Sequence, residues 1–150
     1  MVVTYVSYPV QTNFGCSGIT DYGHSSPINN YLVDKITYPD GSFYQFTYEP
    51  TPGHSANVTG RIASVTFSTG GTISYAYTGS HDGINCTDGT TMGFNRETPD
   101  SSTAWEYGPS GTNPSWTTTV TDPVGTRRRL SAPSAIPPRR HRAKRRRSYP

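Results

Sequence analysis

Apolar and polar residues alternate with a period of two along much of this chain, and the alternation itself recurs. At an offset of 29 residues, positions 33–48 align with positions 62–77. Val33 falls on Ile62, Ile36 on Val65, Thr37 on Thr66, Tyr38 on Phe67, Gly41 on Gly70, Tyr44 on Ile73, Phe46 on Tyr75 and Tyr48 on Tyr77. Each copy reads as an apolar strand ending on an aromatic residue, a short turn with glycine, and a second strand of alternating large side chains. The pattern predicts two antiparallel hairpins, 36–48 and 65–77, turning at Asp40-Gly41 and Gly70-Gly71. In the first, Pro39 presets φ and Gly41 accepts a positive φ; Thr69-Gly70-Gly71 serves the second. Strand side chains alternate, so Tyr44, Phe46 and Tyr48 share one face, as do Ile73, Tyr75 and Tyr77. That face is expected to be the buried one.

A degenerate third copy follows, with Phe94 in a strand, Thr98-Pro99-Asp100 as the break and Trp105-Glu106-Tyr107 as the aromatic ending. A further strand is expected through 116–121, stopped by Asp122-Pro123, and an edge strand through 2–10, closed by Pro9. The whole reads as a meander of about eight short strands. The predicted class is all-β: antiparallel hairpin repeats forming an open, twisted β-sheet strip.

Composition points the same way. Gly and Pro account for 28 of 150 residues, apolar residues for 31%, and the only leucines are Leu32 and Leu130. Thr, Val, Ile and the aromatics, which favour a pleated surface, are abundant. No apolar run reaches the roughly 20 residues of a membrane helix, and residues 1–5 lack the basic start of a secretory signal. The expectation is a chain with no membrane span.

The formal net charge of +3 averages two unlike segments. Up to Gly125 the cations are Lys35, Arg61 and Arg96 against all ten acidic residues, a net −7; residues 126–150 hold ten Lys and Arg and no acid. These are Arg127, Arg128, Arg129, Arg139, Arg140, Arg142, Lys144, Arg145, Arg146 and Arg147. Self-repulsion and scarce apolar residues predict a disordered tail. The expected organisation is therefore an irregular or edge-strand segment at 1–30, β-hairpin repeats at 31–125 and a basic tail at 126–150.

The residues Phe46-Thr47-Tyr48-Glu49, Gly60-Arg61-Ile62, Val65-Thr66, Gly70 and Tyr75-Ala76-Tyr77 occur in an order and spacing that resemble the YD repeats of the RHS (rearrangement hotspot) family. Thr119-Val120-Thr121-Asp122-Pro123-Val124-Gly125 looks like the linker between such repeats. The resemblance covers 31–125. The residue after each repeat tyrosine departs from the family's aspartate, being Glu49, Thr78 and Gly108, and residues 50–59 form a long spacer. The resemblance implies a β-strip that, in longer relatives, spirals into a shell around a C-terminal toxin, exported or displayed at the cell surface. This chain holds too few repeats to close a shell and no recognisable toxin or self-cleavage segment, so it looks like a fragment of one, with other repeats as partners.

Candidate chemistry is sparse. Cys16 and Cys86, the only cysteines, are either a disulfide or two unreactive loop thiols. His24, His54 and His81 stand at no zinc spacing from a cysteine or each other, so neither metal nor cofactor is implied. Asp82, Asn85 and Asp88 lie in a glycine-punctuated loop that fails the EF-hand spacing and suits turn chemistry. No nucleophile elbow, catalytic-cysteine signature or phosphate loop occurs, and no enzyme is expected. Asn57-Val58-Thr59 and Asn85-Cys86-Thr87 match the glycosylation sequon, a short pattern that a Thr-rich chain produces by chance.

Three readings of function follow. The first is a structural scaffold without catalysis, associating through open sheet edges. The second is a carbohydrate-binding surface module in which Trp105, Tyr107 and Trp116 stack on sugar rings, although period-two placement favours their packing as the core face of a β-strip. The third is binding of nucleic acid or another polyanion by the basic tail, against which stands its abrupt onset, as of a frame-shifted or remnant gene end.

Overall fold

The computed structural model describes residues 1–84, 86, 93–112 and 115–131. They form one antiparallel sheet whose nine strands follow chain order: β1 Val2–Val10, β2 Ile28–Thr37, β3 Phe43–Thr51, β4 His54–Phe67, β5 Thr72–Thr78, β6 Gly93–Thr98, β7 Ser101–Thr112, β8 Ser115–Thr121 and β9 Arg127–Ser131. The one helix-like element among the described residues is the short 3-10 turn Ser80–Gly83, irregular because His81 and Asp82 have left-handed backbones. An all-β open meander is thus what the alternation and turn residues produce.

Both predicted hairpins form. Ile36 pairs with Tyr44 across β2 and β3, and Val65 with Ile73 across β4 and β5. Their turns share one hydrogen-bond pattern. The Gly41 N–H donates to Tyr38 O at 3.0 Å and the Tyr38 N–H to Ser42 O at 2.8 Å; Gly70 with Phe67, and Phe67 with Gly71, repeat this at 2.9 and 2.8 Å. Asp122 to Thr126 makes a third copy, joining β8 to β9. Gly41, Gly70 and Gly125 take φ of 85°, 89° and 86°, the left-handed position that closes a type I turn on a glycine bulge.

The repeat also extends to a tertiary contact. The Tyr48 hydroxyl donates to Val33 O at 2.7 Å, and the Tyr77 hydroxyl donates to Ile62 O at 3.1 Å. Donor and acceptor both advance by 29 positions. Tyr48 bridges a gap, since β2 and β3 pair only through Lys35–Thr37 and Phe43–Gln45, after which β2 stays with β1. The end of β1 curls back, and Val10 pairs in parallel with Val58 of β4.

Three expectations need amendment. Residues 50–59 are not a spacer: β3 and β4 continue through them as hairpin arms closing at Thr51 and His54, with bulges around Tyr48 and Pro50. Bulges accommodate the proline, and Gly53 at φ 73° makes the tight turn. The strands number nine because Arg127–Ser131, placed in the tail by its charge, pairs with β8 through Val120 with Arg128 and Thr118 with Leu130. Ladder bonds need only backbone, and side chains on an edge strand remain in water. Residues 132–150 lie outside the described set.

The third amendment concerns burial. The Tyr44, Phe46, Tyr48 row and the Ile73, Tyr75, Tyr77 row are only half-buried, with Gln45, Thr47 and Ala76 exposed between them. The alternation is as expected, but among the described residues no second layer covers the face. The deepest residues sit instead at one end of the strands, where loop 11–27 meets 79–86: Val10, Gln11, Cys16, Thr51, Thr59, Gly83 and Cys86.

Candidate functional site

A densely bonded constellation lies at that end and is built around Arg61, in the middle of β4. Its guanidinium carbon lies 3.9 Å from the ring centre of Tyr77 of β5 and 4.5 Å from that of Phe14 of loop 11–27. Arg61 Nε donates to Glu49 Oε2 at 2.7 Å and Nη2 to Glu49 Oε1 at 2.8 Å, a bidentate pair from β4 to β3. Nη1 donates to Asp82 O at 2.7 Å, and the Thr59 hydroxyl donates to Glu49 Oε2 at 2.7 Å. One cation thus joins β3, β4, β5, the 3-10 turn and the loop. Burial raises the Tyr77 phenol above its usual range, partly opposed by the Arg61 charge. Burial raises Tyr48 likewise.

Loop 11–27 is tied down by polar contacts. Gln11 is buried yet fully engaged: its N–H donates to Val58 O, its side chain to Gly23 O, and its oxygens accept from Thr51 and Asn57. Asp21 accepts from the Phe14 N–H at 3.1 Å and the Gly15 N–H at 3.4 Å. Partial burial pushes its pKa upward, but these bonds and Thr12 outweigh it, leaving Asp21 below the ordinary carboxylate value. Asn57 and Thr59 of the first sequon are both hydrogen-bonded internally. Asn85 of the second lies outside the described residues.

Within this cap Cys16 and Cys86 are bonded as a disulfide, their Cα atoms 5.4 Å apart across 70 residues of sequence. His81 stands beside it. One ligand-type atom from each of Cys16, His81 and Cys86 lies within 4.8 Å of the others. His81 Nδ1 is 2.9 Å from Phe14 O, and the His81 backbone is left-handed at φ 55°. Histidine–cysteine spacing gave no sign of this cluster, because its members come from separate loops. The signal available was local: a His-Asp pair between Gly79 and Gly83, a setting that suits an irregular backbone.

The other candidates are dispersed. Trp105 and Tyr107 lie in β7 on the face that carries Phe94 and Arg96, opposite Arg96 and Phe94 respectively. Tyr107 stacks on Phe94 at 4.3 Å with planes 1° apart, and Arg96 lies 5.3 Å over Trp105. Trp116, in β8, pairs through its backbone with Gly111 of β7. Arg127, Arg128 and Arg129 are exposed along β9, where alternation sends successive side chains to opposite faces. Arg127 borders a groove of about 500 Å³ with Asn95, Glu106 and Thr119, whereas Arg128 neighbours Trp105, Val120 and Asp122. Arg139, Arg140, Arg142, Lys144, Arg145, Arg146 and Arg147 lie outside the described residues, as does Asp88. No protein-family model, curated protein or solved structure matches this chain.

Proposed function

We propose that the chain is a structural β-repeat scaffold that performs no catalysis of its own and extends by adding strands at its edges. The observation that carries this reading is the repeat itself, which recurs in turn bonds and in the Tyr48–Val33 and Tyr77–Ile62 ties. A unit that repeats both its local and its tertiary bonds can be continued by another unit of the same kind. Among the described residues the outer strands are β1 and β9, and each offers backbone groups to a neighbour, β1 along the part that precedes the pairing of Val10 with Val58. The order and spacing of the repeat residues support a place among RHS/YD-repeat chains, and hence a cell-surface or toxin-delivery setting. The carbohydrate reading has less support, since Tyr107 already stacks on Phe94 and Trp105 lies under Arg96.

The edges differ in a way that makes the proposal testable. On β1, Val2, Tyr5 and Val6 are exposed, whereas β9 carries three arginines that repel a like edge. Joining β1 of one copy to β9 of another avoids that repulsion and leaves the array open. Sedimentation velocity is expected to show mass rising with protein concentration, and rising further when Arg127, Arg128 and Arg129 are replaced by Thr. Glycan binding lost in Trp105→Ala would favour the sugar module instead. A monomer at every concentration, in parent and variant alike, would remove the scaffold reading.

A further inference from the structure

We propose that two copies of this chain pair through the open aromatic face of the sheet, front to front, as a closed β-sandwich. Ladder partners share a face, so the strand register lays that face out in rows. Tyr77, Phe94, Tyr107 and Val120 make one row across β5 to β8, and Tyr75, Arg96 and Trp105 make the row beside it. The half-buried residues of β3 extend the surface beyond β4.

The opposite face has another chemistry. Ser74 precedes Tyr75 on β5 and is turned the other way, in a row with Ser64 and Glu97. Glu97 and Glu106 are exposed there. The hydroxyls of Thr47 and Ser64 bond each other at 2.7 Å, as do those of Thr66 and Thr72 at 3.1 Å. Water and near neighbours satisfy that face, and burying its carboxylates would cost free energy.

A sheet that is apolar on one side gains stability when that side meets another layer, and among the described residues none does. Area and charge select a second copy as that layer. The six strands β3 to β8, spaced about 4.8 Å apart and each contributing about five residues of roughly 3.3 Å, present roughly 500 Å² in projection. Two such faces hide about 1,000 Å² before side-chain relief is counted, which reaches the size of a specific interface. The charged side chain within the two rows is Arg96, whose guanidinium carbon lies 5.3 Å from the ring centre of Trp105 and 5.9 Å from that of Tyr107. A facing copy therefore meets mostly rings and methyl groups. A recess of about 400 Å³ lined by Ile62, Tyr75, Tyr77 and Phe94 leaves room for its side chains to interlock, as the inner faces of packed sheets do. A two-fold pairing sets equal surfaces of the same chemistry against each other and closes at two copies. It uses the side chains of one face, whereas strand addition uses the backbone of β1 and β9.

The test starts from the full chain carrying Val6→Lys. Val6 is exposed on β1, and a lysine there, together with the arginines of β9, opposes edge-to-edge growth. Loss of the dimer in this chain therefore reports on the face alone. Sedimentation equilibrium is expected to show a monomer–dimer equilibrium that stops at two copies. Adding Tyr75→Lys should weaken the dimer about tenfold or more by placing an unpaired charge in the contact. Ser74→Lys, one residue away on the polar face, should leave it unchanged. Formation of the Cys16–Cys86 disulfide, read by intact mass, reports that each chain still folds. Acrylamide quenching of Trp105 in a Trp116→Phe chain leaves the face intact, and it should decline as concentration rises into the dimer range. A monomer at every concentration would overturn the inference, as would equal effects of the two lysines in chains that form the disulfide. Quenching that stays low at every concentration would assign the cover to this chain's own residues, and quenching that stays high would leave the face uncovered; either result overturns the pairing.

Discussion

Arg61 shows how one side chain can substitute for a hydrophobic centre. Both it and Glu49 retain 18% side-chain exposure, so the pair is largely withdrawn from water and each partner depends on the other. Removing the guanidinium strands Glu49 among groups arranged to meet it, and Arg61→Ala is expected to cost about 3 kcal/mol in urea unfolding. Arg61→Lys keeps charge but loses the planar fork and the stacking on Tyr77 and Phe14, and should recover only part of that loss. The tyrosines add a pH dependence. Burial raises Tyr48 and Tyr77 above the reference value of 10.0, so the fold favours the neutral phenol. Their contribution is therefore complete below pH 10 and is lost as pH rises through the folded values. Thermal midpoints should fall steeply above about pH 10, and less steeply in Tyr48→Phe/Tyr77→Phe, which gives up about 1 kcal/mol per hydroxyl at neutral pH.

At the scale of elements, the hairpin turns and the 3-10 turn use glycine for different reasons. A Cβ built on Gly41, Gly70 or Gly125 meets nothing within 4 Å, so alanine there meets only the penalty of a positive φ. A Cβ on Gly83 would lie 2.9 Å from Gly93 O and 3.2 Å from both Thr78 N and Thr78 O, at φ +73°. These are backbone atoms of the β5 and β6 ends and cannot swing aside. Gly41→Ala and Gly70→Ala are each expected to lower stability by about 1–2 kcal/mol with an unchanged denaturant slope. Gly83→Ala, which adds steric overlap to the same strain, should lose at least twice as much. Comparable losses for all three in urea titrations would contradict the distinction. The β9 strand makes a related point: its turn follows the same bond pattern as the other two, and the turn carries an arginine run into the sheet.

For the whole molecule, stability rests on tying the ends of a strip together more than on a buried layer. Among the described residues no large side chain is fully buried, and the apolar face is open to solvent. The Cys16–Cys86 bond joins the loop after β1 to the segment after β5, closing a separation of 70 residues. Confining that length of unfolded chain is worth about 4 kcal/mol, a large share of the stability of a domain with so little core. Cys86→Ser is expected to lower the urea midpoint markedly and to release loop 11–27 to rapid hydrogen exchange, while the turns at Gly41 and Gly70 stay protected. Uniform loss of protection across the sheet would mean that the strip has no local stability of its own.

The strands, turns and repeat of this protein are legible in its sequence because each depends on neighbours within a few positions. Alternation at Tyr44, Phe46 and Tyr48 assigns a face, Pro39-Asp40-Gly41 assigns a turn, and the 29-residue offset assigns a second copy. Whether an apolar face is covered is another matter, since it depends on a second layer that alternation cannot reveal. The same is true of Arg61, which reads as one cation in a repeat motif and becomes a hub only when Phe14, Glu49, Tyr77 and Asp82 are folded around it. Cys16, His81 and Cys86 are separated by 65 and 5 residues in sequence and meet because β1 curls back on β4 while the 3-10 turn reverses the chain after β5. Tertiary structure alone decides such meetings, because they depend on strand curvature summed over many residues, and no single residue carries that sum.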